Sequence, residues 1–401
     1  MAMTDTRAHA VSAVSRVGSL DAFRGFVMFL MLAEVMRLWT LADAFPGNAF
    51  WAAVAYSTTH VPWQGCSLHD LIQPAFSFLV GASLPFSLAA RSAAGQSPGR
   101  MLRHAARRSL ILVFLGIFLR SLSRDRTYWT FEDTLTQIGL GYVPLFLLAR
   151  TRLRTQIAVF VTILVGFWLA FAVYPLPGPD FSYPAVGVPA DWPHLYSGFL
   201  AHFNKNSNLS WAFDTWFLNL FPRESPFVYN SGGWSTLSFV PTLATMLLGV
   251  WAGAWLRTDR TPWEQLRGLF VAGALLAMAG LLLQLLHVCP IVKRVWTSSY
   301  TLYSGGLVVL MLAAFVAAVD WRGWRAWAFP LLVIGANSIT AYVMSWTMEE
   351  FVVGALHRHL GRAPFLVLGA PFEPVLRGAT VLLVFWLALY WMYRKRIFVR
   401  I

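Results

Sequence analysis

Apolar residues in this chain come in long, nearly unbroken runs. They follow neither the alternation of a half-buried strand nor the narrow stripe of a surface helix. Ten runs cover residues 22–39, 68–90, 109–121, 134–149, 156–174, 236–256, 269–287, 299–319, 328–346 and 378–393. Most approach the roughly 20 residues that a helix needs to cross bilayer hydrocarbon. The pattern predicts an all-α integral membrane protein with ten transmembrane helices. The third run is short, and an earlier start through the arginine-containing stretch RSAAGQSPGRMLRHAARR stays open. Ser67, with Asp70 three residues on, comes close to a capping box at the head of the second span. Pro74 and Pro85 predict kinks within that span.

The connections carry the polar residues. Residues 47–64 hold Trp51, Tyr56, His60 and Trp63. Residues 175–233, rich in Pro, Asn, Trp and Tyr, read as an ordered outer loop with short helices. Residues 349–372 include LGRAPFLVLGAP, which is apolar but too short to span and reads as re-entrant or interfacial. There is no convincing internal repeat. The expected organisation is a cytoplasmic tail over residues 1–18 and a single transmembrane domain over residues 19–401.

Composition agrees with the hydropathy pattern. Of 401 residues, 57% are hydrophobic and 12% charged, against about a quarter charged in soluble domains. Nineteen tryptophans, many beside span ends, suit interfacial belts. The net charge of +13 raises the question of nucleic acid, but retention of Lys and Arg on the cytoplasmic side explains it better. With ten spans and a cytoplasmic N-terminus, the inner segments hold 20 of the 31 basic residues, from Arg7, Arg16 and Arg24 to Arg394, Lys395, Arg396 and Arg400. Both termini are then cytoplasmic, and the segment beginning at His60 lies outside. The N-terminus lacks a signal-peptide apolar region, so the first span is expected to serve as the insertion signal. Cys66 and Cys289 fall near outer span ends, where a disulfide is open. No zinc-like Cys/His spacing, Walker loop or dinucleotide glycine pattern is present.

Ionisable residues at span ends are the candidates for chemistry. Asp21 and Arg24, spaced i, i+3, can pair at the start of span one, as a topology anchor or as ligand contacts. Glu34 lies in the outer half of the same span, with Arg37 as a simple partner or a site role as the alternative. His60 precedes Pro62, Trp63, His69 and Asp70. A histidine beside a carboxylate suits a general base or an acyl-accepting nucleophile. From spacing alone a solvated loop histidine is the simpler reading. Lys293, Arg294, Trp296, Ser298 and Ser299 mark the outer start of span eight, where the serines cap the helix or bind a ligand. Asn337 and Ser338 lie inside span nine, as interhelical glue or as an amide-binding pair.

An ordered set of segments then carries a family resemblance: SLDAFRG, HVPWQG, DLIQPAFSFLVGASLPFS, LTQIGLGY, VPTLATMLLGVWAG, PIVKRVWTSSYTLYSGG and GANSITAY. Together they resemble the heparan-alpha-glucosaminide N-acetyltransferase family, most closely its bacterial branch described as a domain of unknown function. The resemblance covers residues 19–401. It implies transfer of acetyl from cytosolic acetyl-CoA to the amine of a sugar across the membrane. The family's catalytic histidine, in the pattern His, two residues, Trp, one residue, Gly, falls on His60, Trp63 and Gly65. An asparagine implicated near the end of span one is Val35 here, with Glu34 beside it, and an expected Gln-Arg pair is Thr136-Gln137.

The resulting expectation is an acetyl-CoA-dependent acyltransferase of the bacterial inner membrane, acting on an amino sugar or other envelope glycan. Its catalytic candidates are His60, Glu34 and Asp70. Its binding candidates are Trp63, Lys293, Trp296, Ser298, Ser299, Asn337 and Arg24. Acetyl-CoA is the donor, membrane lipids surround the protein, and no metal or nucleic acid is involved. The resemblance implies a homodimer. The alternative is a transporter or lipid- or glycan-binding protein on the same scaffold.

Overall fold

The computed structural model describes residues 18–399. The expected tail up to residue 17, with Arg7 and Arg16, and Arg400 at the other end lie outside the described residues. The helices are α1 (Gly18–Leu32), α2 (Thr40–Ala44), α3 (Ala49–Thr58), α4 (Ile72–Ala93), α5 (Pro98–Ser121), α6 (Thr134–Leu148), α7 (Leu153–Val173) and α8 (Leu209–Phe217). They continue with α9 (Phe239–Leu256), α10 (Pro262–Leu285), α11 (Ser298–Phe315), α12 (Phe329–Ala336), α13 (Ser338–Thr347), α14 (Glu349–Leu360) and α15 (Glu373–Arg394). Among the described residues, strand-like pairing is limited to one antiparallel bridge, Gln64 to Val292.

The fold is that of an all-α membrane protein. Seven helical stretches are long and apolar enough to cross a bilayer, and an eighth is α12 with α13, bent by 70° at Asn337. All ten apolar runs fall on helices. Two of them are less clear-cut as spans. α6 has only 15 residues, and α5 carries Arg100, Arg103, Arg107, Arg108 and Arg120. α5 starts at Pro98, ahead of the apolar run, because Ser97 accepts the Arg100 amide and Pro98 occupies the first helical turn.

α4 packs on α9, α5 on α6, α10 on α11, and α1 on α12. The α1–α12 contact requires Gly25, since a Cβ there would collide with the Leu331 carbonyl. α9 is enclosed by its neighbours. α7, α10 and α15 instead present large apolar side chains outward, such as Val165, Leu275 and Leu387, which suits lipid as their solvent. Residues 175–233 fold into short 3₁₀ turns, Pro184–Val186 and Gly198–Phe203, followed by α8. The apolar stretch after α14 forms the turn Ala363–Leu366. Both cysteines are free thiols, Cys289 buried and Cys66 half-buried.

At the break between α12 and α13 Asn337 leaves the helical conformation, at φ −129° and ψ 46°. Asn337 donates its side-chain amide to the Ile397 carbonyl at 3.0 Å and accepts the Val399 amide at 3.0 Å. The segment after α15 thus satisfies the side chain at the bend, much as an added strand would.

Candidate functional site

The HVPWQG loop is held from two directions. Gly65, at φ 115°, sits where L side chains are strained, and its amide donates to the Ile291 carbonyl at 2.9 Å. The neighbouring Gln64–Val292 bridge joins the loop to the segment ahead of α11. From the other side Asp70 acts as a hub. Its Oδ2 accepts the amides of Val61 (3.2 Å) and Ser67 (3.0 Å) and the Ser67 hydroxyl (3.1 Å). Ser67 Oγ in turn accepts the Asp70 amide, which closes the expected capping box. Tyr300 donates its hydroxyl to the Asp70 carbonyl at 2.7 Å.

These contacts leave Asp70 Oδ1 for two partners, His60 Nδ1 at 2.8 Å and Lys293 Nζ at 3.3 Å. Lys293 Nζ also lies 3.3 Å from His60 Nδ1. One ring nitrogen cannot both donate to Asp70 and accept from Lys293. The shorter, charge-assisted contact to the buried carboxylate decides the tautomer: Nδ1–H donates to Asp70. Nε2 then carries the lone pair. A carboxylate, an imidazole oriented by it and a free Nε2 form the orienter–base pair of nucleophilic acyl chemistry. Burial lowers the His60 pKa below the ordinary histidine range; the Asp70 hydrogen bond opposes that and the Lys293 charge reinforces it. Burial also lowers the Lys293 pKa, against the Asp70 charge.

His60 acting as a base requires its neutral form, so activity follows the unprotonated fraction and rises with pH through the His60 pKa. Lys293→Met removes a charge that lowers this pKa. The acid limb of the kcat/KM profile is expected to move to higher pH than in wild type. A limb that stays in place would separate Lys293 from His60 ionisation.

His60 opens into a cavity of about 780 Å³, lined also by Glu34, Arg37, His69, Gln73, Arg120, Glu132, Asp133, Trp234, Glu349 and Glu350. Trp234 stands edge-on to the His60 ring at 5.3 Å, with Lys293 and Arg294 over its face. A second cavity of about 630 Å³ is lined by Asp21, Arg24, Ser83, Arg108, Ser338 and Phe398. There Arg24 pairs with Asp21 at 3.0 Å and donates to Ser83 at 2.8 Å, while Arg108 stacks over Tyr142 and donates to its hydroxyl. Phe76, Thr134 and Tyr342 line both cavities. The two spaces therefore abut, one holding His60 and the other Arg24 and Arg108.

The remaining candidate residues divide. Lys293 joins His60, and Glu34 faces the same cavity. Arg37, the simple partner for Glu34, instead reaches Glu349 at 3.5 Å. Trp63 is fully buried against Trp192, its indole N–H donating to the Phe203 carbonyl, and lines neither cavity. Trp296 donates to the Thr245 hydroxyl, Ser298 to the Leu164 carbonyl and Ser299 to the Pro290 carbonyl, all buried. Thr297 is the N-cap of α11. Asn337 is engaged by residues 397–399, while Ser338 borders the second cavity.

Sequence reasoning passed over Arg120, Glu132, Asp133 and Tyr342. The paired acids of TFED just before an apolar run were the available signal. Burial raises the carboxyl pKa values of Glu132 and Asp133, against the Arg120 charge. Among the described residues no group of three or more His, Cys, Asp or Glu is placed to hold a metal ion.

Comparison with known proteins agrees with this picture at a coarse level. Residues 16–184 match a family described as a domain of unknown function, DUF5009. The chain is 23% identical over 381 residues to heparan-alpha-glucosaminide N-acetyltransferase of Homo sapiens, an alignment covering 84% of this chain and 53% of that protein. The Mus musculus enzyme of the same name is 22% identical over 381 residues, covering 85% and 55%. The chain spans about half the length of these curated relatives, and the relationship is distant.

Proposed function

We propose that this distant relative of the transmembrane N-acetyltransferases carries acetyl from cytosolic acetyl-CoA to an amino sugar or other glycan on the opposite face of the membrane. The observation that carries the reading is the meeting of the two cavities at Phe76, Thr134 and Tyr342, with His60 on one side and Arg24 and Arg108 on the other. Guanidinium groups suit the phosphates of coenzyme A. The narrow thioester arm would pass the shared constriction and present its acetyl group to His60. Asp70 holds His60 in the tautomer with Nε2 free. Nε2 then takes a proton from the acceptor's attacking nitrogen or oxygen, or accepts the acetyl group and passes it on to that atom. Either way the thioester C–S bond breaks, the acetyl carbon ends bonded to the acceptor's nitrogen or oxygen, and the acceptor's proton ends on the CoA thiol.

The same reading takes α5, α6 and the bent α12–α13 pair as spans beside the seven longer ones, giving ten with both termini cytoplasmic. It places the protein in a bacterial inner membrane as a homodimer. The arginine-rich start of α5 supports this orientation through the positive-inside rule.

Oriented vesicles test the donor side. Radiolabelled acetyl-CoA is expected to label acceptor only when it reaches the cytoplasmic face, from outside inside-out vesicles or from the lumen of right-side-out ones. Labelling only from the outer face overturns the proposal. A transporter, which would share the broken span, would move substrate without releasing CoA.

A further inference from the structure

α3 is apolar on nearly every side, yet none of its residues is buried in the protein. Its sequence, AFWAAVAYST, carries no charge, and Phe50 is 65% exposed, with Ala52, Ala53 and Tyr56 exposed beside it. A helix that is apolar all round belongs in a core or in a membrane. Ten residues are too few to span. The polar atoms of α3 turn back on its own backbone. The Asn48 side chain accepts the amides of Phe50 and Trp51. The Thr58 and Thr59 hydroxyls donate to the Val54 and Ala55 carbonyls, each at 2.8 Å. Satisfaction from within suits surroundings poor in water.

A second connection has the same character. After α14 the chain exposes Leu366, Val367 and Leu368, with Val367 at 72%. Rings join the two connections. Phe372 packs on Phe45 at 5.7 Å and edge-on to Trp51 at 6.1 Å, and Trp51 stacks on Phe45 at 6.2 Å. The joint surface is continuous with a span. Phe372 leads directly into α15, whose exposed row of Ala379, Leu383, Leu387 and Trp391 suits lipid. An exposed apolar patch of this kind marks an interaction site. Arg358 and Arg362, both exposed, flank the apolar run. Aromatic rings and arginines beside a span end fit the headgroup layer, where guanidinium groups reach lipid phosphates.

We infer that α2–α3 and residues 363–372 form a collar seated in the membrane leaflet on the His60 side. Its partner is the lipid surface, with the arginines among headgroups and Phe50 and residues 366–368 in the upper acyl region. The chain enters both halves of the collar from the rim of the His60 cavity. Thr40 opens α2, Glu349 opens α14, and both line that cavity. The collar thereby fixes the rim at the membrane surface. It draws on the membrane reading of the fold and is independent of acyl transfer.

The test places a nitroxide label on the full chain in lipid nanodiscs, at Phe50→Cys or Val367→Cys. The unsubstituted chain is the blank for Cys66 and Cys289. Relaxation by oxygen, which concentrates in lipid, is compared with relaxation by a nickel chelate, which stays in water. Leu387→Cys sets the lipid value, and Asp191→Cys, on the exposed loop ahead of α8, sets the water value. At both collar sites the oxygen-to-chelate ratio is expected to shift most of the way from the water value to the lipid value. A ratio at the Asp191→Cys level at either site overturns the inference. So does protection from both reagents, which would mean that a second copy or another protein covers the surface. Ala53→Cys and Leu368→Cys, on the same two elements, replace any variant whose thermal unfolding midpoint falls below wild type.

Discussion

His60→Ala is expected to lower CoA release from acetyl-CoA in the presence of an amine acceptor by about 10²–10⁴-fold, the usual contribution of a positioned base. Thermal stability should change little, because the His60 ring faces the cavity and is about a third exposed (36%). Thiol release by the purified chain in nanodiscs, followed with a chromogenic thiol reagent, reads the effect directly. His69 provides the control. Its ring lies 4.4 Å from that of His60 and borders the same cavity, yet no hydrogen bond ties it to Asp70 among the described residues. His69→Ala should keep most of the activity. If both histidines matter equally, the Asp70 contact is not what selects the reactive ring.

Asp70→Asn has the second large expected effect, and it acts on two properties at once. Chemically, an amide in place of the carboxylate no longer fixes Nδ1–H, so the ring can present its protonated nitrogen to the cavity. Loss of a comparable orienting carboxylate costs serine hydrolases about 10⁴-fold. Structurally, the change leaves Lys293, whose side chain is 3% exposed, as a buried charge without its counterion. Breaking a buried pair in this way costs about 3–5 kcal/mol. The two effects separate in the double variant Asp70→Asn with Lys293→Met. Removing the orphaned ammonium should restore much of the thermal stability, measured by unfolding in detergent, while activity stays low. Recovery of activity together with stability would show that Asp70 acts only by holding the loop.

The fold was legible where lipid sets the rule and obscure where tertiary contacts do. A span must stay apolar along its length, whether it meets hydrocarbon or packed neighbours, so α4, α7, α9 and α11 stand out in the hydropathy pattern to within a few residues, while α10 begins seven residues ahead of its apolar run. The start of α5 does not, because Arg100, Arg103, Arg107 and Arg108 interrupt the apolar signal even though Ser97 and Pro98 mark the helix start. The bend at Asn337 is invisible in an apolar run that reads as one span, since its partner residues lie some sixty positions later.

The site shows the same division. Ser67 and Asp70 form a local capping pattern, and the spacing alone indicated it. Lys293 lies 233 residues from His60, and the pairing of residues 64–65 with residues 291–292 brings the two together. Trp63 reads as a binding candidate from its position beside His60. The loop over residues 175–233 instead covers it, with Trp192 and Phe203 closing over the indole.

The clamp on Asn337 also dictates an order of assembly. Chains are made from the N-terminus, so α12 and α13 are synthesised before residues 397–399 exist. During that interval the Asn337 amide has neither of its later backbone partners, and the cavity beside it lacks Phe398 and Val399 from its wall. The second cavity is therefore completed only after α15 has been made. A nascent chain halted before α15 would carry the His60 loop, Asp70 and Lys293 beside a cavity whose wall still lacks Phe398 and Val399.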